Sequence, residues 1–323
     1  MAKHLLFSLA VLATLLASGV AYTQSYPSKP VRYIVPYPPG GSPDMIGRVL
    51  SEQLSRKWGQ QLVVDNRAGA SGTVGAAVAA KAPADGYTLF QCNIASNAIA
   101  ASLYAKLQYD PRRDFAPVTR IGTAPNAIVV HPSLPVKTIA EFIVYAKANP
   151  GKLTYGTSGI GSSGHLATEL LRTMTAINIV HVPYKGAAQV LADLLGGQIM
   201  VNVSNVPALV SPAQAGRVRA LAVTGAKRSA QLPGVPTMVE SGYPDFDVTS
   251  WYGVCAPAGT PSAILDKLHT DFSAVLALPE VNQRLTEMVV DVAPTSRAEF
   301  DAFIRFETNR WETVAKNAGI QPQ

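Results

Sequence analysis

The chain has 323 residues, of which 48% are hydrophobic and 15% are charged, and its formal net charge is +6. This composition excludes a disordered chain and is typical of a globular protein with one large or two medium domains. The basic residues are scattered along the chain, so the charge argues only weakly for nucleic acid and better for a small anionic ligand.

The first residues have the pattern of an export signal. Lys3 precedes an apolar stretch at 5–21, which ends in the small residues expected at a cleavage site. The stretch is marginal for spanning a membrane, so we expect a cleaved signal peptide at 1–21 rather than an uncleaved anchor. The mature chain is therefore predicted to be exported to the periplasm.

After this leader, segments typical of strands alternate with segments typical of helices. Strands are predicted at 31–37, 61–65, 87–92, 115–118, 127–130, 153–156, 177–183, 199–204, 219–224 and 248–256. Helices are predicted at 44–58, 73–82, 138–148, 165–175, 187–196, 206–215, 261–277 and 297–317. Thr138 and Glu141 have the spacing of a capping box at one helix start. The alternation indicates an α/β fold with mostly parallel sheets flanked by helices.

The length suits two α/β units better than one. Residues 22–124 and 249–323 are predicted to form a discontinuous first lobe, and residues 125–248 an inserted second lobe. The chain would then cross between the lobes twice, through two hinge strands. Because ligands of open α/β sheets bind at the carboxyl ends of strands, we expect one ligand cleft between the lobes.

The two cysteines, Cys92 and Cys255, both lie in apolar segments with the pattern of buried strands. Two cysteines of an exported protein can form a disulfide, and that possibility stays open. Free buried thiols are also common, and we favour that state. Two cysteines are too few for a cysteine-based zinc site, and the histidines have no metal-binding spacing, so no metal or cofactor is predicted.

A Gly-x-Gly-x-x-Gly pattern lies within residues 156–165, between a predicted strand and a predicted helix. A dinucleotide site would require an acidic residue after the next strand, and none ends the segment 177–183. Neither Ser158 nor Ser163 has the two flanking glycines of a nucleophile elbow. We therefore expect a binding protein, not an NAD-dependent enzyme or a serine hydrolase.

Two loops rich in glycine and serine, at 37–44 and 156–165, each connect a strand to a helix. A helix start presents free N–H groups and a positive dipole end, which bind anions, and serine hydroxyls add donors. Either loop alone can be an ordinary turn. One loop in each predicted lobe favours a ligand with an anionic group at each end. Asp44 is better explained as a helix cap than as a ligand contact.

A series of short motifs follows in order along the chain. They lie at 26–32, 35–41 with Asp44, 64–69, 85–89, 109–111 with 114–118, 181–186, 193–198, 219–224 and 256–261. Through these motifs the chain resembles the Bug family of periplasmic solute-binding proteins, the binding subunits of tripartite tricarboxylate transporters. The resemblance covers nearly the whole mature chain.

The resemblance implies a two-lobed periplasmic-binding-protein fold, of the type II kind, that closes on one small ligand, usually a carboxylate. It implies no catalysis, no metal and no cofactor. The loop 37–44 would close over the ligand, partly through ordered waters, and the loop 157–165 would bind a carboxylate through N–H and hydroxyl groups. Residues 185–187 and 204–205 would line the other lobe. The implied partners are membrane transporter subunits, and we expect a monomer that binds no nucleic acid.

The predicted ligand-binding residues form one set. They are Tyr37, Pro39, Gly40, Gly41, Ser42, Asp44, Ser96, Thr157, Ser158, Gly161, Ser162, Ser163, His165, Lys185, Gly186, Ala187, Ser204 and Asn205. Lys185 has a second interpretation, in which it pairs with a structural acid.

One departure from the family pattern bears on the ligand. Many relatives have Phe-Asp-Asn where this chain has Val203, Ser204 and Asn205. Ser204 cannot supply the negative charge that would receive an ammonium group. This favours a dicarboxylate or an aromatic acid over an amino acid. The alternatives are a sensing subunit that presents its ligand to a signalling receptor and, less favoured, a periplasmic serine hydrolase.

Overall fold

The computed structural model describes residues 26–317 and residue 322. The predicted signal peptide at 1–21 lies outside the described residues. In the part of the chain that is described, every helix is too short or too polar to cross a bilayer.

The described chain alternates between strands and helices. The strands are β1 Val31–Val35, β2 Leu62–Asn66, β3 Thr88–Asn93, β4 Phe115–Val130, β5 Thr154–Thr157, β6 Val180–Pro183, β7 Val201–Asn205, β8 Arg219–Val223, β9 Thr249–Pro257 and β10 Asp291–Val292. The α-helices are α1 Ser42–Trp58, α2 Thr73–Ala80, α3 Ala100–Leu103, α4 Ile139–Ala148, α5 Ser163–Thr175, α6 Ala187–Leu195, α7 Val210–Gln214, α8 Ser262–Leu276, α9 Pro279–Glu287 and α10 Arg297–Asn317. Short 3₁₀ turns at Ala70–Gly72 and Val206–Ala208 and a π turn at Ala95–Ile99 complete the order.

One long strand joins the two halves of the sheet. The strand order is β2-β1-β3-β9-β4-β7-β5-β6, and β8 and β10 also pair with β4. The first part of β4 pairs with β9, up to Pro125 opposite Thr249, and the rest pairs with β7 from Asn126 onward. The division into lobes at 124/125 and 248/249 stays a prediction, and this change of partners lies beside one of its boundaries.

The predicted α/β fold is confirmed, with one difference in strand direction. Pairing is parallel among the outer strands, β1 with β2 and β3, and β5 with β6 and β7. Every pairing of β4 or β9 is antiparallel, so the sheet is mixed and the expectation of mostly parallel sheets is wrong for its centre. The centre is antiparallel because β9 runs opposite to its neighbours β3 and β4, and β4 runs opposite to β7 and β8.

The cysteines form a disulfide, so the favoured state of two free thiols is wrong. Cys92 in β3 and Cys255 in β9 are fully buried, with their Cα atoms 5.8 Å apart. They are 163 residues apart in sequence and come together because β3 and β9 are antiparallel neighbours. The bridge ties the inner strand of one half to a strand that crosses between the halves.

The sheet topology brings several loops to one region. Because β1 and β3 are parallel, their carboxyl ends at Val35 and Asn93 lie on the same edge of the sheet. The same holds for β5 and β7, which end at Thr157 and Asn205. The largest hydrophobic cluster includes residues of all four strands, among them Ile34, Phe90, Tyr155 and Val203. The loops that follow these strands are therefore carried on a continuous buried core.

Candidate functional site

The loop at 37–44 is held by one buried carboxylate. Asp44 accepts hydrogen bonds from the Gly40 N–H at 2.9 Å and the Asn66 side-chain amide at 3.0 Å, and it pairs with Arg48 at 2.9 Å. Burial alone would raise the pKa of Asp44, but the bonds from Arg48, Gly40 and Asn66 outweigh it and hold that pKa below its ordinary value. Asp44 was expected to cap the helix that follows the loop. Instead, Gly41 occupies the N-cap position, and the carboxylate of Asp44 bonds back to the Gly40 N–H of the loop.

The loop at 156–165 is held without any formal charge. Ser162 is the N-cap of α5, and its hydroxyl oxygen accepts the N–H of His165 at 3.3 Å. Since that oxygen acts as an acceptor there, its own hydrogen remains able to donate to a ligand. The first N–H groups of the helix, at Ser163 and Gly164, have no partners within the helix. This helix start therefore presents neutral hydrogen-bond donors.

Three aromatic rings form a stack behind this loop. His165 and His181 stack with ring centroids 4.4 Å apart, and Tyr155 stacks on His181 at 4.7 Å. The Gly161 N–H donates to Nδ1 of His165 at 3.2 Å, which requires that nitrogen to be unprotonated. The Thr157 hydroxyl lies 2.7 Å from Nε2 of His181. Burial lowers the pKa of both imidazoles, to about 3 for His181, so both rings are neutral.

A network of neutral side chains joins the start of α5 to the two strands that cross between the halves. The Ser163 hydroxyl donates to Asn126 Oδ1 at 3.1 Å and accepts from the Ser250 hydroxyl at 2.8 Å. The Asn205 amide donates to Asn126 at 3.2 Å and to Ser250 at 2.9 Å. The Tyr252 hydroxyl donates to Asn205 Oδ1 at 3.2 Å. We call these five residues the crossover network; within it, the hydrogen of the Ser163 hydroxyl is already used.

Loops of the two halves of the sheet lie against one another. A Cβ added at Gly186 would lie 3.5 Å from Cγ of Pro38, and one added at Gly159 would lie 2.8 Å from Oγ of Ser71. The Tyr37 hydroxyl lies 3.4 Å from both the Ser71 carbonyl and Asn93 Oδ1. Pro38 and Ser71 of the first half therefore lie against the loops that follow β6 and β5 in the second half.

The predicted ligand-binding residues differ in burial. Ser42, Asp44, Ser96, Thr157, Gly161, Ser162, Ser163, His165 and Ser204 are buried; Tyr37, Gly41, Ser158, Gly186, Ala187 and Asn205 are half-buried; Pro39, Gly40 and Lys185 are exposed. Gly186 lies against Pro38 of the first loop, whereas the second loop lies against Ser71.

Three other predicted residues make no contact with the two loops that the structure records. Two of them donate their hydroxyl hydrogens to neighbouring asparagines, and the third is exposed. The Ser96 hydroxyl donates to Asn97 Oδ1 at 2.7 Å, and the Ser204 hydroxyl donates to Asn202 Oδ1 at 2.6 Å. Lys185 is exposed, and among residues 26–317 no acidic group pairs with it. The interpretation of Lys185 as the partner of a structural acid therefore gains no support.

The acidic groups beside the loops are already paired. Asp44 holds Arg48, and Glu169 accepts from Arg172 at 2.7 Å and from the Tyr155 hydroxyl at 2.8 Å. Nor do the described residues contain a cluster of His, Cys, Asp and Glu able to bind a metal ion. The carboxylates beside the loops are therefore already engaged, and the start of α5 offers neutral donors and acceptors.

Sequence reasoning missed several residues of the site. Asn126, Ser250 and Tyr252 in the crossover network and His181 in the ring stack were not predicted. A signal was present, since Asn126 and Ser250 are polar residues inside apolar strand segments, and a buried polar side chain requires a partner. The identity of that partner depends on which strands are neighbours, and the sequence pattern does not specify this.

Comparison with known families identifies one match. The family described as "Tripartite tricarboxylate transporter family receptor" matches residues 46–320. The match covers most of the described chain, including the loop at 156–165, and begins just after the loop at 37–44.

Solved structures agree with this match. An R. palustris protein with adipate is 41% identical, with a TM-score of 0.88 over 92% of this chain and 100% of that one. The periplasmic binding protein BugD is 34% identical, with a TM-score of 0.86 over 92% of this chain and 100% of its own. MatC from Rhodopseudomonas palustris, with bound malate, is 30% identical, with a TM-score of 0.84 over 90% of this chain and 99% of its own. These relatives are solute-binding proteins and not enzymes, as the sequence predicts for this chain.

Proposed function

The chain belongs to the tripartite tricarboxylate transporter receptor family of periplasmic solute-binding proteins, and on this basis we propose that it captures a small dicarboxylate between its two loops and delivers it to membrane transporter subunits. The proposal rests above all on one observation. The loop at 37–44 lies against Gly186 through Pro38, the loop at 156–165 lies against Ser71 through Gly159, and each loop leads into the start of a helix.

The donors on the second loop suit a carboxylate. The hydroxyl of Ser162 and the N–H groups of Ser163 and Gly164 are neutral donors at a helix start, where the dipole favours negative charge. Hydrogen bonds from such donors to an ionised carboxylate are short and strong. Because the first loop also leads into a helix start, a ligand with a carboxylate at each end can use both. Adipate and malate, bound in two relatives, are dicarboxylates.

The acidic and hydroxyl groups near the loops argue against an amino acid as the ligand. An ammonium group needs a free carboxylate or several acceptors, and Asp44 and Glu169 are already paired. The Ser204 hydroxyl bonds within its own strand to Asn202. The acceptors that would receive an ammonium group are therefore occupied, which favours a dicarboxylate, with an aromatic acid as the second choice.

A ligand panel tests the proposal. The chain from residue 22 onward is purified, unfolded and refolded to remove bound ligand, and then melted with adipate, malate, benzoate, citrate and glutamate. We expect adipate and malate, the dicarboxylates without an amino group, to raise the melting temperature most and to give saturable heats in calorimetry. Stabilisation by glutamate alone would contradict the proposal.

Two serine variants test the role of the second loop. Replacing Ser162 and Ser163 together by Ala should weaken dicarboxylate binding at least about tenfold, because one donor to the ligand and one anchor of the helix start are lost. Ser162→Ala alone should account for most of the direct effect, since the Ser163 hydroxyl donates to Asn126. The matched control is Ser211→Ala, at an exposed position on α7. Equal affinity of the double variant and the control would exclude this role.

The proposal includes export and a transport role. We infer that residues 1–21 are removed and that the mature monomer acts in the periplasm. Intact-mass analysis of the periplasmic fraction tests cleavage near residue 22. Uptake of the dicarboxylate, measured with and without the gene, separates transport from sensing, because a sensing subunit would leave uptake unchanged.

A further inference from the structure

Two hydroxyl groups from one side of the cleft converge on a single backbone carbonyl of the other side. The hydroxyls of Ser71 and Tyr104 both donate to the carbonyl oxygen of Ile160, the latter at 3.2 Å. Ile160 lies in the middle of the 156–165 loop, whereas Ser71 follows β2 and Tyr104 follows α3. These two bonds join the two sides directly.

The backbone around Ser71 is held in an uncommon conformation. Ala70 and Ser71 have φ values of 43° and 52°, a region that residues other than glycine rarely adopt. Such conformations persist where the surrounding structure enforces them, often at functional sites. Here the carbonyls of Ala70 and Ser71 lie 3.4 Å from the hydroxyls of Tyr104 and Tyr37, respectively. The conformation directs the Ser71 side chain across the cleft.

The opposite loop is shaped for this approach. Gly159 has a φ of 124°, and a Cβ there would lie 2.8 Å from Oγ of Ser71. A Cβ at Gly161 would lie 3.1 Å from Cδ1 of Leu103. The absence of side chains at these two glycines lets the Ile160 carbonyl reach both hydroxyls.

We propose that Ser71 and Tyr104 form a latch that holds the cleft closed and thereby slows ligand release. Both hydroxyls use their hydrogens on Ile160, so their role is to hold the two sides together and not to bind the ligand. Opening the cleft separates Ile160 from both donors. The effect on ligand release rests on the proposed function, whereas the closure itself is a property of the chain alone.

The latch predicts a change in the balance between open and closed forms. Each hydrogen bond contributes modestly, and the loss of both should shift the equilibrium toward the open form roughly tenfold to a hundredfold. The test variant is Ser71→Ala with Tyr104→Phe, which removes both donors and keeps the volume of each side chain nearly unchanged. The control is Ser211→Ala with Tyr145→Phe, which removes the same two groups from α7 and α4.

Spin labels on the two outer edges of the sheet measure closure. Val63 on β2 and Val180 on β6 are each 45% exposed and can be replaced by labelled cysteines, because the native Cys92 and Cys255 are paired and buried. Pulsed electron resonance then gives the distance distribution with and without adipate. We expect the latch variant to populate longer distances than the control. Identical distributions in both conditions would overturn the latch.

Release kinetics give the second readout. Stopped-flow dissociation of adipate should be about tenfold faster or more in the latch variant, with little change in the association rate. An unchanged dissociation rate in a variant that binds adipate would also overturn the latch. If neither the parent chain nor any variant binds adipate, the proposal of a dicarboxylate ligand is contradicted. The distances between the spin labels then decide alone whether the latch exists.

Discussion

The two cleft loops serve one ligand region but are held by opposite means. The loop at 37–44 is organised by the ionised carboxylate of Asp44, which binds Gly40, Arg48 and Asn66. The loop at 156–165 is organised by neutral groups, with the ring of His165 accepting from the backbone and the hydroxyl of Ser162 capping α5. Asp44 accepts its hydrogen bonds in the charged form, which those bonds favour by lowering its pKa, whereas His165 accepts in the neutral form, which burial favours by lowering its pKa.

The largest expected difference between the loops is in the loss of stability when a glycine of each loop is replaced by alanine. In Gly164→Ala, the new Cβ would lie 1.9 Å from the carbonyl oxygen of Val203, which is backbone and cannot turn away. Since α5 must shift, we expect a loss of about 1–3 kcal/mol or more in the free energy of unfolding. Urea titration measures it.

The matched change in the first loop is Gly41→Ala. A Cβ at Gly41 would meet its nearest atom, Cδ of Pro43, at 3.7 Å, and its φ of −83° suits any residue. We expect this variant to unfold like the parent chain. If both variants lost equal stability, the packing of α5 on β7 at Val203 would not be the reason.

The second expected effect is the loss of stability when the charge of Asp44 in the first loop is removed. Asp44→Asn keeps the shape of the side chain but removes the charge-assisted bonds to Arg48 and the Gly40 N–H. We expect a loss of about 2 kcal/mol in the free energy of unfolding, because the carboxylate is buried with only 3% of its side chain exposed. Glu52→Gln, which breaks ion pairs at an exposed carboxylate, should have little effect and serves as the control.

A further expected effect is a dependence of stability on pH, carried by the ring stack of Tyr155, His165 and His181 behind the second loop. The pKa of His181 is about 3 in the folded chain and near 6.5 when unfolded, because burial disfavours the charged ring. Below about pH 6.5 the unfolded state therefore binds more protons than the folded state, and stability falls as the pH falls. The burial of His165 adds to this in the same direction.

Melting temperatures between about pH 7.5 and about pH 5 test this dependence, since imidazoles titrate in that range and carboxylates with lowered pKa values do not. The parent chain should lose stability across it. His181→Gln, whose amide can still reach Thr157, should lose less, whereas Asp44→Asn should have the same slope as the parent. A slope unchanged by His181→Gln would exclude the ring stack as its source.

The sequence pattern predicted local features well. The helix that begins after Thr138 has the expected cap, since Glu141 donates its N–H to the Thr138 hydroxyl at 3.1 Å. The two glycine-serine loops also lie between a strand and a helix, as their composition indicates. Such features depend on residues within a few positions of each other, and these are adjacent in any fold.

Long-range features were predicted less well. The strand β4 was expected as two strands, at 115–118 and 127–130, and it is continuous through Pro117 and Pro125. Proline is tolerated there because pairing with β9 is irregular at Pro117, where the register shifts. The helix α9 was not predicted at all. In each case the outcome depends on what packs against the segment.

The amino-acid sequence by itself determined the alternation of strands and helices and the two helix starts able to bind anions. It also determined that position 204 carries a serine and not an acid. These follow from periodicity and side-chain chemistry. Only the tertiary structure decided that Cys92 pairs with Cys255, that Ser163 joins the crossover network, and that Ser71 reaches Ile160. Each of these contacts joins residues far apart along the chain and depends on how the strands are arranged in the sheet.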